Sequence, residues 1–305
     1  SWQNPSPLTF SPPFSQASWE LIGGILLLLG WVVAVGADPS WQAIAVSGLG
    51  WLFFNSRLQR FWLHADLAAI LAIGLQAVWL FWRAIPLATR ELLINTGIQL
   101  ANAQDHSYAL LSLALFPYVI WILILTDWLY RREKQDLAEF GEAIALSFGL
   151  ILTAISLVNP LLRSLNLFAS TITLGFLYLR RHRSILVYLT HITAILTITS
   201  SINYFLPSLN QENWATILLG LMVGEWGFSI ITKEQSDRLS NWQESAWYIG
   251  LSLAGLSYFL YGTDLNNSII KLCWAIAPVM LTLIAIRSNP SRRKVASWLS
   301  IVGLG

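Results

Sequence analysis

The chain has 305 residues, 55% of them hydrophobic and only 11% charged, with a formal net charge of +2. Soluble domains carry about 25% charged residues, so this composition excludes an ordinary water-soluble globule and makes a lipid bilayer the expected solvent. The single cysteine, Cys273, sits in an apolar run; it excludes an intrachain disulfide or a cysteine metal cluster and reads as a small buried hydrophobe.

Ser1–Ser18 (SWQNPSPLTFSPPFSQAS) holds four prolines and reads as an extended cytoplasmic linker. It lacks the basic n-region and short apolar core of a signal peptide. Opening on Ser1 and stopping at Gly305 within an apolar run, the chain reads as a segment of a longer or processed protein.

Residues 19–305 form the expected transmembrane domain. Apolar spans run at Trp19–Gly36, Trp41–Phe54, Phe61–Trp82, Tyr108–Leu129 and Ala138–Val158. They continue at Leu165–Leu179, Ile185–Leu206, Asn213–Thr232, Trp242–Tyr261 and Ser268–Ile286, and an eleventh begins near Val295. Most approach the roughly 20 residues that a helix needs to cross hydrocarbon. Trp41–Phe54 and Leu165–Leu179 are short and need flanking residues to span. Continuously apolar runs do not fit the alternating pattern of a membrane barrel, so the fold class is all-α. The expected architecture is a polytopic transmembrane helical bundle of about ten complete spans plus a truncated eleventh.

The connections separate into two sets. Those containing Arg57–Arg60, Arg131–Asp136, Arg180–Arg183, Lys233–Arg238 and Arg287–Lys294 carry every Lys and Arg except Arg83, Arg90, Arg163 and Lys271. They alternate with the weakly charged connections near Ala37–Ser40, Arg83–Ser107, Asn159–Ser164, Pro207–Glu212 and Gly262–Asn267. Positive loops stay cytoplasmic, which predicts consecutive helical hairpins with basic cytoplasmic turns and a cytoplasmic N-terminus. Ile172–Leu196, two apolar runs around Arg180, Arg181, His182 and Arg183, is the clearest such hairpin. The basic turns recur about every 50 residues, with about 25 more at the long connection. Duplicated hairpins, with SINYFL at Ser201–Leu206 beside GLSYFL at Gly255–Leu260, give this period, and so do unrelated minimal hairpins crossing one bilayer.

Sixteen tryptophans are present, and Trp19, Trp41, Trp62, Trp82, Trp128, Trp214, Trp242 and Trp298 stand at span ends, as headgroup anchors do. The long connection Ile85–Ser107 is expected to hold a short helix on the extracytoplasmic surface, started by Pro86 and striped by Leu92, Leu93 and Leu100. Its Arg90, Asp105 and His106 are the polar candidates on that side. Pro117 and Pro278 predict kinks.

Glu225, in LLGLMVGEWGFSI, is the substrate- or proton-binding candidate. A carboxylate at bilayer centre costs about 2.5–3.5 kcal/mol, so it has to be protonated, paired or turned to a polar cavity. Gly220 and Gly224, four apart, allow a second helix to approach closely. The structural alternative is a hydrogen-bonded glutamate at such a contact. Thr190, Thr193 and Thr197, with Ser200 and Ser201, either line a polar path or join helices. His191 is a candidate for binding a haem or chlorophyll cofactor; a hydrogen bond to a threonine or a backbone carbonyl is the alternative, and His64, one turn from its own basic end, lies at a different depth from it. Asp66, Asp127, Glu139, Glu142 and Glu244 are near enough to basic turns to neutralise their cations, Asp127 with Arg131 as an i,i+4 pair.

There is no phosphate loop, HExxH, GxSxG or CxxC, so neither catalytic residues nor metal ligands are assigned, and the cofactor is unknown. The expected partners are the bilayer, anionic headgroups at the basic turns and other membrane proteins, with no nucleic acid. Three functions fit: a permease-like module for a small or lipid-linked solute, a non-catalytic subunit or scaffold of a larger (photosynthetic) membrane complex, and a membrane enzyme acting on a lipid-linked sugar. The Trp-, Leu- and Gln/Asn-rich style suggests a bacterial inner or thylakoid membrane.

Overall fold

The computed structural model describes residues 16–35, 41–231, 240–261, 268–287 and 290–304. Among them no residue is in a strand. The helices are α1 (Gln16–Val35), α2 (Trp41–Phe61), α3 (His64–Ala84), α4 (Leu87–Ala101), the single turn α5 (Leu111–Ala114) after a 3-10 turn at Ser107–Leu110, and α6 (Phe116–Arg131). Then come α7 (Gln135–Ser156), α8 (Pro160–Arg181), α9 (Ser184–Phe205), α10 (Gln211–Ile231), α11 (Ser240–Tyr261), α12 (Ser268–Arg287) and α13 (Pro290–Leu304).

Five described segments are long and apolar enough to cross a membrane: His64–Ala84, Ser107–Arg131, Gln135–Ser156, Pro160–Arg181 and Ser184–Phe205. This meets the expected number of about ten only in part. Their bared side chains include Ile124, Leu150, Ile151, Ile172, Phe176 and Leu179, an apolar surface that lipid covers and water would not tolerate. The all-helical fold of an integral membrane protein accounts for that surface.

Residues 1–15 of the linker, the basic turn Lys233–Arg238, the neutral connections 37–40 and 262–267 and the side chains of Lys271 and Cys273 lie outside the described residues, and the last three linker residues, 16–18, already belong to α1. Both short apolar runs gain length from polar flanks. Trp41–Phe54 extends to Phe61 and so takes Arg57 and Arg60 into α2, and Leu165–Leu179 extends back to Pro160. The basic residues at 57–60 are therefore helical, and the turn itself is Trp62–Leu63.

Two compact units divide the chain: Ser1–Leu100 with Pro117–Phe148, and Ala101–Phe116 with Gly149–Gly305. In the first, α2 and α3 form a hairpin whose reversal is the left-handed Trp62 (φ 55°). Its indole lies 6.3 Å from that of Trp128, and the Lys134 ammonium stands over it at 4.8 Å. Gln76 Nε2 donates to Ser47 Oγ at 2.8 Å, joining α3 to α2. The Tyr118 hydroxyl of α6 donates to the Leu71 carbonyl of α3. Gly74 admits that tyrosine, since a Cβ there would stand 2.8 Å from its hydroxyl oxygen.

In the second unit, Asn159 caps α8: its Oδ1 accepts the Leu162 N–H at 3.0 Å, with Pro160 at the first helical position. The helix stops after Arg181 because His182 turns left-handed (φ 52°), and α9 starts two residues later. This is the expected hairpin of Ile172–Leu196. The kink expected at Pro117 is a break at Leu115, with the proline at the second position of α6. Beside the break, buried Asn166 of α8 donates to the Ser112 carbonyl at 3.1 Å, and the Thr153 hydroxyl lies 2.8 Å from its Oδ1. Pro278 does lie inside α12; its carbonyl accepts from Thr282 at 2.8 Å and from Ser300 of α13 at 3.3 Å.

The main apolar core of this unit gathers Ile195, Leu219, Met222, Trp226, Trp247 and Leu253 with residues of α12 and α13. Trp226 is fully buried, and its indole N–H donates to the Trp247 carbonyl at 3.2 Å.

Candidate functional site: a buried histidine–glutamate pair

Two residues that stand out separately in the sequence meet in the second unit. His191 Nδ1 of α9 lies 2.9 Å from Glu225 Oε2 of α10. Their side chains are 8% and 17% exposed. His191 is thus hydrogen-bonded neither to a threonine nor to a backbone carbonyl through its Nδ1. Charge placement explains the choice: in an apolar bundle a carboxylate needs a donor, and a nearby imidazole supplies one that also carries charge when protonated.

Depth within the helices allows the meeting. His191 lies about 10 Å along α9 from Ser184, and Glu225 about 9 Å along α10 from Ile231, at 1.5 Å per residue. Both therefore sit two turns from the helix ends next to basic segments. Glu225 lies about one turn from the middle of α10, on the side of Ile231.

Aromatic rings enclose the imidazole. Trp242, in the first turn of α11, has its ring centroid 5.0 Å away, and Phe228, one turn beyond Glu225, lies at 6.1 Å. Tyr178 of α8 stands edge-on to Trp242 at 5.3 Å. Trp242 is therefore a half-buried wall of the site and not simply a headgroup anchor. Trp41 and Trp298, by contrast, are 64% and 72% exposed, as anchors would be.

The glycines around Glu225 have a different role from the expected one. A Cβ at Gly220, Gly224 or Gly227 would meet nothing within 4 Å, so no close helix contact depends on them. Among the described glycines of this unit, Gly250 on α11 is under such pressure: a Cβ there would run into the Trp226 indole.

The hydroxyls of α9 turn mostly to their own helix. Thr190 donates to Leu186 O at 2.7 Å, Thr193 to Leu189 O at 2.9 Å and Thr197 to Thr193 O at 2.7 Å. The Thr171–Thr197 hydroxyl pair at 3.4 Å and the bond from Arg163 Nε to Ser200 Oγ at 2.7 Å do join α8 to α9. Thr190 is buried one residue before His191, whereas the Thr193 and Thr197 hydroxyls serve carbonyls of α9 itself.

Arg90 belongs to the first unit, Asp105 and His106 to the second. Arg90 sits on α4, and its buried Nε has no hydrogen-bond partner. Asp105 and His106 are exposed, with the His106 ring 5.7 Å from that of Tyr108. Leu92, Leu93 and Leu100 of α4 are exposed. No group of three or more His, Cys, Asp or Glu side chains among the described residues is arranged to hold a metal ion.

Asp66 and Asp127, acidic residues near basic segments, pair as their spacing suggests. Arg57 Nε meets Asp66 Oδ1 at 3.1 Å, and Arg131 meets Asp127 at 3.1 Å. Sequence reasoning missed the Asn166–Ser112 contact; the signal was Pro117, which goes with the helix break at Leu115 beside which the buried amide serves the Ser112 carbonyl.

Compared with protein-family models, curated proteins and solved structures, the chain matches none. The functional reading therefore rests on the site alone.

Proposed function

We propose that this chain is a multi-pass permease-like module for a small or lipid-linked solute, and that the His191–Glu225 pair is its proton-binding element. In this reading the remaining long helices join the five apolar ones to give about ten spans plus an eleventh. The basic segments and the N-terminus face the cytoplasm of a bacterial inner or thylakoid membrane, against anionic headgroups.

The observation that carries the proposal is the 2.9 Å contact between two titratable side chains, both largely buried in an apolar helical unit. Ionisable residues inside membranes are expensive, and they are characteristic of proton and substrate paths. A pair that shares one proton stays neutral overall, so it can sit in low dielectric and still exchange that proton when a solute binds.

The test is proton flux in proteoliposomes containing a trapped pH indicator, challenged with a panel of sugars, amino acids, amines and lipid-linked precursors. At least one solute class should move protons, and Glu225→Gln should abolish the movement without loss of folded protein. Solute transport undiminished in Glu225→Gln would overturn the reading.

A second reading, a non-catalytic subunit of a larger membrane complex, draws support from large bared side chains such as Phe259, 80% exposed. Stoichiometric co-purification with other membrane proteins, with no solute flux by the isolated chain, would favour it.

A further inference from the structure

Independently of the permease reading, we propose that α4 is a membrane-surface helix whose Arg90 holds the phosphodiester of a phospholipid headgroup. The starting point is that α4 joins two segments able to cross a membrane, His64–Ala84 and Ser107–Arg131, without being able to cross one itself. Its 15 residues make about 22 Å of helix, against roughly 30 Å of hydrocarbon. Arg90, Glu91, Asn95 and Gln99 along it are costly inside a bilayer. α4 therefore stays at the membrane face where α3 ends.

Tryptophan and arginine mark the depth of that face. Trp82 is exposed in the last turn of α3, and the Arg83 guanidinium stands over the Trp79 ring at 5.2 Å. Indoles and arginines so placed belong at the headgroup level. α4 begins at Leu87, just beyond Arg83.

The faces of α4 are sorted for such a position. At about 100° per residue, Glu91, Asn95 and Gln99 make one polar stripe, and all three are exposed. Leu92 borders it. On the other half, Leu93 and Leu100 make one apolar stripe and Leu87 and Ile94 another. These four are between 40% and 76% exposed, a row of apolar side chains that water disfavours. Bare Val78 and Phe81 carry the lipid-facing surface of α3 up to the same level, so acyl chains that cover α3 also cover these stripes.

Arg90 lies between the two apolar stripes, on the same side as Gly97. Its Nε is buried without a hydrogen-bond partner, and no described residue forms an ion pair with it. Neighbouring Glu91 points about 100° away. A guanidinium in apolar surroundings costs free energy until an anion meets it. At headgroup level that anion is the lipid phosphate, whose oxygens suit the two terminal nitrogens in parallel. One guanidinium matches the single charge of one phosphodiester. A soluble phosphate would leave the leucines bare, whereas a lipid meets both needs.

The experiment uses the full chain in bilayers. With 15N-labelled arginine in phosphatidylglycerol–phosphatidylethanolamine, dephasing of the Arg90 terminal nitrogens by lipid 31P is expected. The signal is assigned by its loss in Arg90→Lys, checked for a wild-type melting profile. Absence of dephasing would overturn the proposal. In phosphorus-free glycolipid bilayers with inorganic phosphate added, the dephasing should vanish; its persistence would make Arg90 a soluble-anion site and overturn the lipid assignment. Nitroxides on Leu93→Cys, Leu100→Cys, Asn95→Cys and Gln99→Cys, each in a Cys273→Ala chain, test the lie of the helix with Arg90 intact. The first two should collide more with lipid-dissolved oxygen than with a water-soluble nickel chelate, and the other two the reverse. Shielding of the Leu93→Cys and Leu100→Cys labels from both reagents would reveal a protein cover, and equal exposure of all four to the chelate a helix free in water. Either result would overturn the inference.

Discussion

The indole of Trp226 on α10 lies over the backbone of Gly250 on α11, where any Cβ would collide with its five-membered ring. The same indole bonds the Trp247 carbonyl and stacks on the Trp247 ring at 5.8 Å. Trp226 follows Glu225 directly, so this contact fixes the stretch of helix that carries the carboxylate. Gly250→Ala should therefore destabilise the second unit by about 1–3 kcal/mol, the usual cost of overpacking. Denaturant or thermal unfolding in detergent would read it. Gly224→Ala, facing open space, should be close to neutral or slightly stabilising in the same assay.

Asn166 serves the carbonyl of Ser112 beside the helix break, and it is fully buried. Asn166→Leu should cost about 1–3 kcal/mol, because the Ser112 carbonyl loses its amide partner and the Thr153 hydroxyl one acceptor. Limited proteolysis near residues 111–117 should become faster in the variant.

Arg57 and Asp66 tie α2 to α3, with Asp66 only 2% exposed. Arg57→Gln leaves a buried carboxylate short of its countercharge and should cost about 3 kcal/mol, the low end for a broken buried pair given the partly exposed guanidinium. Adding Asp66→Asn should recover part of that loss. A double-mutant cycle by unfolding checks it, and strictly additive losses would deny the pairing.

Glu133 is exposed and left-handed (φ 59°) in the turn between α6 and α7. Glycine pays no steric cost there, so Glu133→Gly should stabilise the hairpin by about 1 kcal/mol, the scale of the left-handed penalty. An unchanged or lower unfolding midpoint would contradict this.

Hairpins were the legible part of the sequence, because basic residues between apolar runs mark helix ends directly. The α8–α9 reversal falls at His182 and Arg183, inside the basic cluster that announced it. Helix limits were less legible: Arg57 and Arg60 look like turn residues, yet α2 carries them through because Arg57 finds Asp66 across the hairpin. Glu225 and His191 each stood out as polar groups in apolar runs. Their pairing did not, because the spacing of polar groups along one helix does not show which residue of another helix faces them. Counting residues from the basic segments puts both at the same depth. The glycines misled for a different reason: spacing identifies a face of a helix but not what lies against it, and Gly250 matters because of an indole on another helix.

The most direct measurement of the central claim is the 15N spectrum of histidine-labelled chain in lipid bilayers, with His191 assigned by its loss in His191→Gln. The account predicts that Glu225→Gln shifts the His191 Nδ1 resonance, while those of His64, His106 and His182 stay where they were. A His191 signal indifferent to that substitution would contradict the pairing on which the proposed function depends.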